Sequence, residues 1–168
     1  RLPSGLEAVG RYWFAGSEVE RVLVPASVRE ISESAFLGCT WLESVEFGEG
    51  SMLERIWGCA FKHCLSLKDV TLPDGLARID QNAFTDSALK SFVAPVSLRE
   101  IGGAAFAGCG ELEDVSLNER IQRIGLLCFS GTAVKELAIP KQIAETPEGL
   151  GIGIGHDYTK VLVLPDGL

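Results

Sequence analysis

The stretches "LKDVTLPDGLARIDQNAF" (Leu67–Phe84) and "LKSFVAPVSLREIGGAAF" (Leu89–Phe106) are two copies of one pattern. Each copy contains an apolar block, a proline, a short turn, and an isoleucine that precedes a phenylalanine by five residues. A unit of this length cannot bury its own apolar side chains, whereas stacked copies can bury them against one another. The repetition therefore predicts a solenoid.

The phenylalanine is the clearest marker of the repeat. It recurs every 22–25 residues as Phe14, Phe36, Phe61, Phe84, Phe106 and Phe129. Five residues before each phenylalanine lies an isoleucine or valine, and three residues earlier lies another aliphatic residue. These apolar spacings are consistent with one helical or 3₁₀ turn. Rings in register predict a continuous buried spine.

A second apolar block, L-x-x-V-x-L in its clearest form, follows each phenylalanine. Its copies begin at Val19, Leu42, Leu67, Leu89, Leu112, Val134 and Thr159. Its last two apolar residues alternate with a polar one, as in a half-buried strand, and a proline often ends the run. We therefore predict a right-handed α/β solenoid with one short strand and one short helical or 3₁₀ turn in each repeat of 22–25 residues.

Small side chains form a further column, three residues after each phenylalanine. They are Ser17, Cys39, Cys64, Ser87, Cys109 and Thr132. Glycine precedes the small residue in four copies, and His63 and Asp86 replace it in the other two. Glycine at this point predicts a left-handed backbone conformation.

The periodicity extends over residues 1–168, which we interpret as a single domain of about seven repeats. Residues 48–53 carry a short insertion, and residues 144–157 ("AETPEGLGIGIGHD") form an irregular repeat without the isoleucine–phenylalanine pattern. The chain begins and ends at the same phase, without a polar cap at either end. Because solenoids need such caps, we expect either a segment of a longer array or caps that are supplied by neighbours.

Composition excludes several classes of function. The chain is 46% hydrophobic and 23% charged, as globular proteins are, and its net charge is −8. This charge argues against nucleic acid and against anionic membrane surfaces as partners. No apolar run approaches the roughly 20 residues that span a bilayer, so we expect no membrane insertion of this segment.

The repeats resemble the BspA-type leucine-rich repeats of surface proteins from host-associated bacteria and protozoan parasites. The resemblance is carried by "ISESAFLGCTWLESVEF" (Ile31–Phe47), "IGGAAFAGCGELEDVSL" (Ile101–Leu117) and "LKDVTLPDGLARI" (Leu67–Ile79). Trp13 and Trp57 depart from it, in place of alanine and glycine. The resemblance implies a leucine-rich-repeat solenoid at the cell surface or outside the cell, which adheres to protein or glycan on a host or neighbouring cell.

The five cysteines cannot form a complete set of disulfides. Cys39, Cys64 and Cys109 occupy the column of small residues, which favours buried free thiols. Equivalent positions of neighbouring repeats lie about 5 Å apart, so a Cys39–Cys64 bond is the alternative.

The motifs that could carry chemistry are incomplete. "CAFKHC" (Cys59–Cys64) lacks the further ligands that a tetrahedral zinc site needs. "GLGIGIG" (Gly149–Gly155) does not match a phosphate-binding loop, and His156-Asp157 has no recognisable nucleophile. We predict no enzyme activity, cofactor or metal.

The candidate binding residues are those that alternate away from the core along the strands. With Trp41 beside the second strand, they are Trp41, Glu43, Glu46, Lys68, Asp69, Lys90, Glu113, Asp114 and Lys135. Stacked repeats would place them on one extended face, where solenoids bind partners. Trp57, if exposed, is another anchor, whereas Trp13 is expected to shield its end of the array. A solvated charged face without a ligand is the alternative interpretation.

We therefore predict a non-enzymatic protein-binding and adhesion module. A structural stalk or spacer array without a specific ligand is one alternative. An intracellular scaffold is another, and the lack of a disulfide pattern fits it slightly better than secretion.

Overall fold

The computed structural model describes residues 2–144 and 161–163. The chain winds into stacked coils that contain short parallel strands. The strands are β1 (Ala8–Val9), β2 (Arg21–Val24), β3 (Glu30–Ile31), β4 (Ser44–Phe47), β5 (Arg55–Ile56), β6 (Asp69–Val70), β7 (Arg78–Ile79), β8 (Ser91–Val93), β9 (Glu100–Ile101), β10 (Asp114–Ser116), β11 (Arg123–Ile124), β12 (Glu136–Ala138) and β13 (Val161–Val163), with a short helix α1 (Lys141–Ala144). The predicted leucine-rich-repeat solenoid is confirmed.

Each full coil contributes two strands, where the sequence predicted one. The strands that hold the isoleucines or valine form an unbroken six-stranded parallel sheet, β1-β3-β5-β7-β9-β11, which we call the isoleucine sheet. Its register places Ile31 beside Ile56 and Ile79 beside Ile101. The second strand was missed because only two residues per coil are extended, too few to show an alternating pattern.

The L-x-x-V-x-L blocks form the other set of strands. They pair in three separate groups, β2-β4-β6, β8-β10 and β12-β13. β13 pairs in parallel with β12, with Leu162 opposite Leu137, as the seventh copy of the block predicts. Apart from Ala144, the irregular repeat predicted at residues 144–157 lies outside the described residues.

The segment around each phenylalanine is a run of tight turns and not a helix. Ala35 N–H donates to Ser32 C=O and Leu37 N–H to Ser34 C=O, so the bonds span three residues, as in a 3₁₀ turn. A residue two positions before each phenylalanine has a positive φ: Tyr12, Ser34, Cys59, Asn82, Ala104 and Leu127. The residue two positions after it does as well, which confirms the left-handed conformation predicted at the glycines. These residues reverse the backbone before a helix can continue.

The phenylalanines form the predicted spine. Consecutive rings from Phe14 to Phe129 stack with centroids 5.0–5.5 Å apart and interplanar angles of 4–9°. Phe36, Phe61, Phe84 and Phe106 are completely buried. Full burial of such a ring stabilises a fold by about 1.5–3 kcal/mol, so the spine is a major part of the core.

Backbone hydrogen bonds between coils have opposite directions on two sides of the solenoid. Around the phenylalanines, alternate N–H groups donate to the following coil, as Phe36 N does to Ala60 O at 2.8 Å. At the ends of the isoleucine strands, N–H groups donate to the preceding coil, as Trp57 N does to Ile31 O at 2.9 Å. Both sides thereby satisfy most of their buried polar groups.

The described part of the chain contains no helix that is long and apolar enough to cross a membrane.

Candidate functional site

The nine predicted binding residues lie on the surface of the solenoid. All nine side chains are exposed. We call the surface formed by the outward side chains of β2, β4, β6, β8, β10 and β12 the strand face. The alternation along each strand explains the exposure of Glu46, Asp69 and Asp114, which lie next to inward-pointing residues, whereas the other six residues lie before the strands.

The strand face is divided where its strands fail to pair. Glu43, Glu46, Lys68 and Asp69 accompany β4 and β6, whereas Lys90, Glu113 and Asp114 accompany β8 and β10. Lys135 precedes β12 in the third group. The register places Ser44 beside Asp69 and Ser91 beside Asp114. The predicted residues therefore form three neighbouring clusters.

Between β8, β10 and β12 the strand face is concave. A hollow of about 560 Å³ is lined there by Val93, Glu113, Asp114, Lys135 and Glu136, among others. Val93 is 69% exposed and gives the hollow an apolar wall. Three carboxylates and one ammonium group leave it acidic, which favours a basic ligand.

Trp41 lies where the chain enters the strand face. It is 61% exposed, and Leu65, near the same point of the next coil, is also exposed. The position equivalent to Trp41 in that coil is held by Ser66, whose hydroxyl donates to Thr40 C=O at 2.7 Å. The indole is therefore not needed for packing of the coil, and large exposed aromatic groups are common anchors of interfaces.

The other two tryptophans differ from Trp41. Trp13 is 56% exposed, although its indole lies against Gly10, so it covers the end of the array only in part. Trp57 is half-buried, and its Nε1–H donates to Glu30 Oε2 at 2.9 Å. The Arg55 guanidinium lies over the Trp57 ring, 3.3 Å from its centroid. Trp57 is thus held rigidly by its neighbours.

Sequence reasoning missed an ion-pair network beside the isoleucine sheet. Arg55 binds Asp80 at 2.7 Å, Arg78 binds Asp80 at 2.6 Å, and Arg78 also binds Glu100 at 3.0 Å. The charged residues directly before the isoleucines recur at one phase of the repeat, and that recurrence could have revealed the network. Asp80 is 11% exposed at its side chain, so this network is better shielded from solvent than a surface pair.

All five cysteines are free thiols, which confirms the prediction for the column of small residues. Each buried thiol of the column donates to a phenylalanine carbonyl of the preceding coil: Cys39 to Phe14 at 2.8 Å, Cys64 to Phe36 at 3.2 Å and Cys109 to Phe84 at 3.1 Å. Burial raises the pKa of the Cys64 thiol to about 12 and also raises the pKa of the Cys109 and Cys128 thiols. The alternative Cys39–Cys64 bond is not formed.

Within residues 2–144 and 161–163, no group of three His, Cys, Asp or Glu side chains is placed to hold a metal ion. The glycine-rich stretch Gly149–Gly155 and His156-Asp157 lie outside the described residues.

Solved structures of similar repeat proteins match the solenoid. A leucine-rich repeat protein from Bacteroides ovatus ATCC 8483 superposes with a TM-score of 0.73 at 33% identity, covering 80% of this chain and 35% of that one. A leucine-rich cell surface protein from Faecalibacterium prausnitzii A2-165 gives 0.69 at 29% identity, covering 74% and 34%. The T. pallidum leucine-rich repeat protein gives 0.69 at 32% identity, covering 74% and 60%.

This chain therefore spans about a third of the first two relatives and 60% of the third. No curated protein matches it. The sequence pattern of the BspA-type leucine-rich repeat region matches residues 1–53 and 50–149, in six copies. The resemblance noted in the sequence is confirmed, and the chain belongs to the BspA-type leucine-rich repeat family.

Proposed function

We propose that this solenoid is a non-enzymatic adhesion module of the cell surface that binds a partner protein through the strand face. Family membership supports a repeat-based interaction module, and the F. prausnitzii relative is described as a cell surface protein. The observation that carries the proposal is the exposed Trp41 next to an extended row of outward charged side chains. Extended faces of this kind are where solenoids contact partners.

The chemistry of the strand face favours a partner with basic and apolar groups. Glu43 directly precedes β4, Asp69 lies in β6 and Glu113 directly precedes β10, and all three are exposed. Arg21 approaches Glu43 at 3.9 Å, which is a weak contact that a partner cation can replace. A ligand would bury Trp41 at the rim and pair its cations with these carboxylates.

Removal of the three carboxylates tests the proposal. Beads coated with the chain would be applied to epithelial cell monolayers and to surfaces coated with matrix proteins. The variant E43Q/D69N/E113Q should lose adhesion without a change in its thermal unfolding. The control E7Q/D74N/E119Q removes the same charge from exposed positions outside the strand face and should adhere normally.

The outcomes separate the candidate functions. Normal adhesion of E43Q/D69N/E113Q would remove the strand face from consideration. Absence of adhesion by the unaltered chain on every surface would favour a structural stalk or spacer.

The free thiols bear on a second candidate, an intracellular scaffold. Five unpaired cysteines are usual in a reducing compartment. However, Cys39, Cys64, Cys109 and Cys128 are buried, and a neutral buried thiol is a poor nucleophile for disulfide formation. Free thiols are therefore compatible with the cell surface, and fractionation of cells that express the parent protein distinguishes the two locations.

A further inference from the structure

A second concave surface lies beside the isoleucine sheet, separate from the strand face. It is an open hollow of about 390 Å³, which we call the trough. Trp57 lies at one end, Gln81, Gly102, Gly103 and Gly125 line its floor, and charged side chains of β7, β9 and β11 line one side. The trough crosses successive coils, which are about 4.8 Å apart.

Two residues at the floor of the trough have backbone N–H groups without a hydrogen bond in the described part of the chain. The N–H groups of Gln81 and Gly103 donate no hydrogen bond within residues 2–144 and 161–163. A Cβ atom on Gly102 would collide with the backbone N of Gln81, and one on Gly125 would collide with that of Gly103. Glycine at both positions therefore lets neighbouring coils approach closely at these two nitrogen atoms, which lie one coil apart.

The end of the trough is a fixed aromatic group. The other coils have Gly10, Ser32, Asp80, Gly102 and Gly125 where this coil has Trp57. The array thus does not need an indole at this position. The hydrogen bond to Glu30 and the stacked Arg55 hold the Trp57 ring in place. Binding of a ligand to this ring therefore costs little conformational entropy of the protein.

The side of the trough offers both donors and acceptors in fixed positions. Arg78 is held between Asp80 and Glu100, so its planar group and the remaining carboxylate lone pairs are oriented. The guanidinium of Arg123 lines the trough and has no hydrogen-bond or ion-pair partner in the described part of the chain. A ligand here must both accept and donate hydrogen bonds.

We propose that the trough binds a neutral oligosaccharide of linked pyranose rings. Sugar hydroxyl groups donate and accept, as the mixed side chains and free N–H groups require. The C–H face of a pyranose can pack on the indole face that Arg55 does not cover, and the length of one ring is close to the separation of successive coils. The site is independent of the strand-face proposal.

Charge selects a neutral ligand over an acidic one. The trough is lined by three carboxylates, Glu33, Asp80 and Glu100, and by two guanidinium groups, Arg78 and Arg123. The whole chain has a net charge of −8. The overall charge repels a polyanion, and the described residues of the trough carry no excess of cations to offset it, since Arg55 and Arg78 are paired with Asp80.

The test uses the 168-residue chain and an array of neutral tri- and tetrasaccharides of β-1,4-, β-1,3- and α-1,4-linked hexoses, with trigalacturonate as the acidic probe. Binders are then measured by titration calorimetry. W57S should weaken binding at least tenfold, since Ser32 shows that serine is accepted at this position. R123Q should weaken it about five- to tenfold through the loss of a charge-assisted hydrogen bond.

R120Q is the matched control, because Arg120 is exposed and does not line the trough. It should bind as the unaltered chain does. The proposal is overturned if no neutral sugar binds, if W57S and R123Q bind normally, if R120Q is weakened equally, or if trigalacturonate alone binds. Loss of binding in W57S and R123Q with normal adhesion would support the trough and leave the strand face unaffected.

Discussion

The isoleucine sheet and the strands of the strand face belong to the same coils, yet only the first is continuous. From isoleucine or valine to phenylalanine the spacing is five residues in every coil, and the six strands pair without a gap. From phenylalanine to the next strand block the spacing is five residues after Phe14, Phe84 and Phe129 and six after the other three. The strand face is split into three groups.

We call the segment between a phenylalanine and the next strand block the connector. The breaks in pairing coincide with changes in its length. Pairing fails between β6 and β8 and between β10 and β12, the two points where the spacing falls from six residues to five. In two longer connectors the additional residue forms a tight turn, Thr40 N to Gly38 O and Gly110 N to Gly108 O. A shorter connector draws the following strand away from its neighbour. Constant spacing, more than side-chain type, thus determines sheet continuity.

The largest expected effect separates the interior from the strand face. F84A removes a fully buried ring from the spine and should lower the free energy of unfolding by about 3–5 kcal/mol. V93A truncates a side chain that is 69% exposed and should change the free energy of unfolding by no more than about 0.5 kcal/mol. Urea unfolding followed by circular dichroism measures both, and similar losses for the two variants would contradict the stacked spine.

An insertion tests the connector directly. One serine added after Ala88 restores six residues between Phe84 and Leu89 and should allow β8 to pair with β6. Hydrogen exchange at the amides of Ser91 and Val93 should slow about tenfold, the effect of one added hydrogen bond. A serine inserted after Gly110, where the spacing is already six, is the control and should give no such gain. Unchanged exchange at β8 would show that connector length does not cause the break.

The smallest expected effect concerns the backbone before the phenylalanine. Leu127 has a φ of 57°, a conformation that is unfavourable for a bulky side chain. L127N should raise stability by about 0.5–1 kcal/mol, because asparagine accepts this conformation more readily. L126N changes the adjacent exposed leucine, which lacks the positive φ, and should give no gain. Equal shifts in the melting temperature of the two variants would show that the replacement of an exposed leucine by a polar residue, and not the backbone conformation, is the cause.

Most of the interior could be predicted from sequence, since it depends on residues that recur at one phase. The phenylalanine spine, the small-residue column of Cys39, Cys64 and Cys109, and the exposed side of the strands all follow from this periodicity. The two-residue strands and the contacts that hold Trp57 in place could not be predicted. Trp57 depends on Glu30, 27 residues away, and the trough depends on glycine positions that clear the backbone of the preceding coil. Such contacts between coils do not produce a residue type that recurs at one position of the repeat, so the sequence pattern does not reveal them.

The opposed hydrogen-bond directions have an electrical consequence. Around the phenylalanines the N–H groups face the following coil, and beside the isoleucine sheet they face the preceding one. The dipoles of these peptide groups therefore point in opposite directions along the axis on the two sides, in contrast to an α-helix, where all of them add. Because these groups oppose one another, their contributions to the axial field offset each other in part as coils are added.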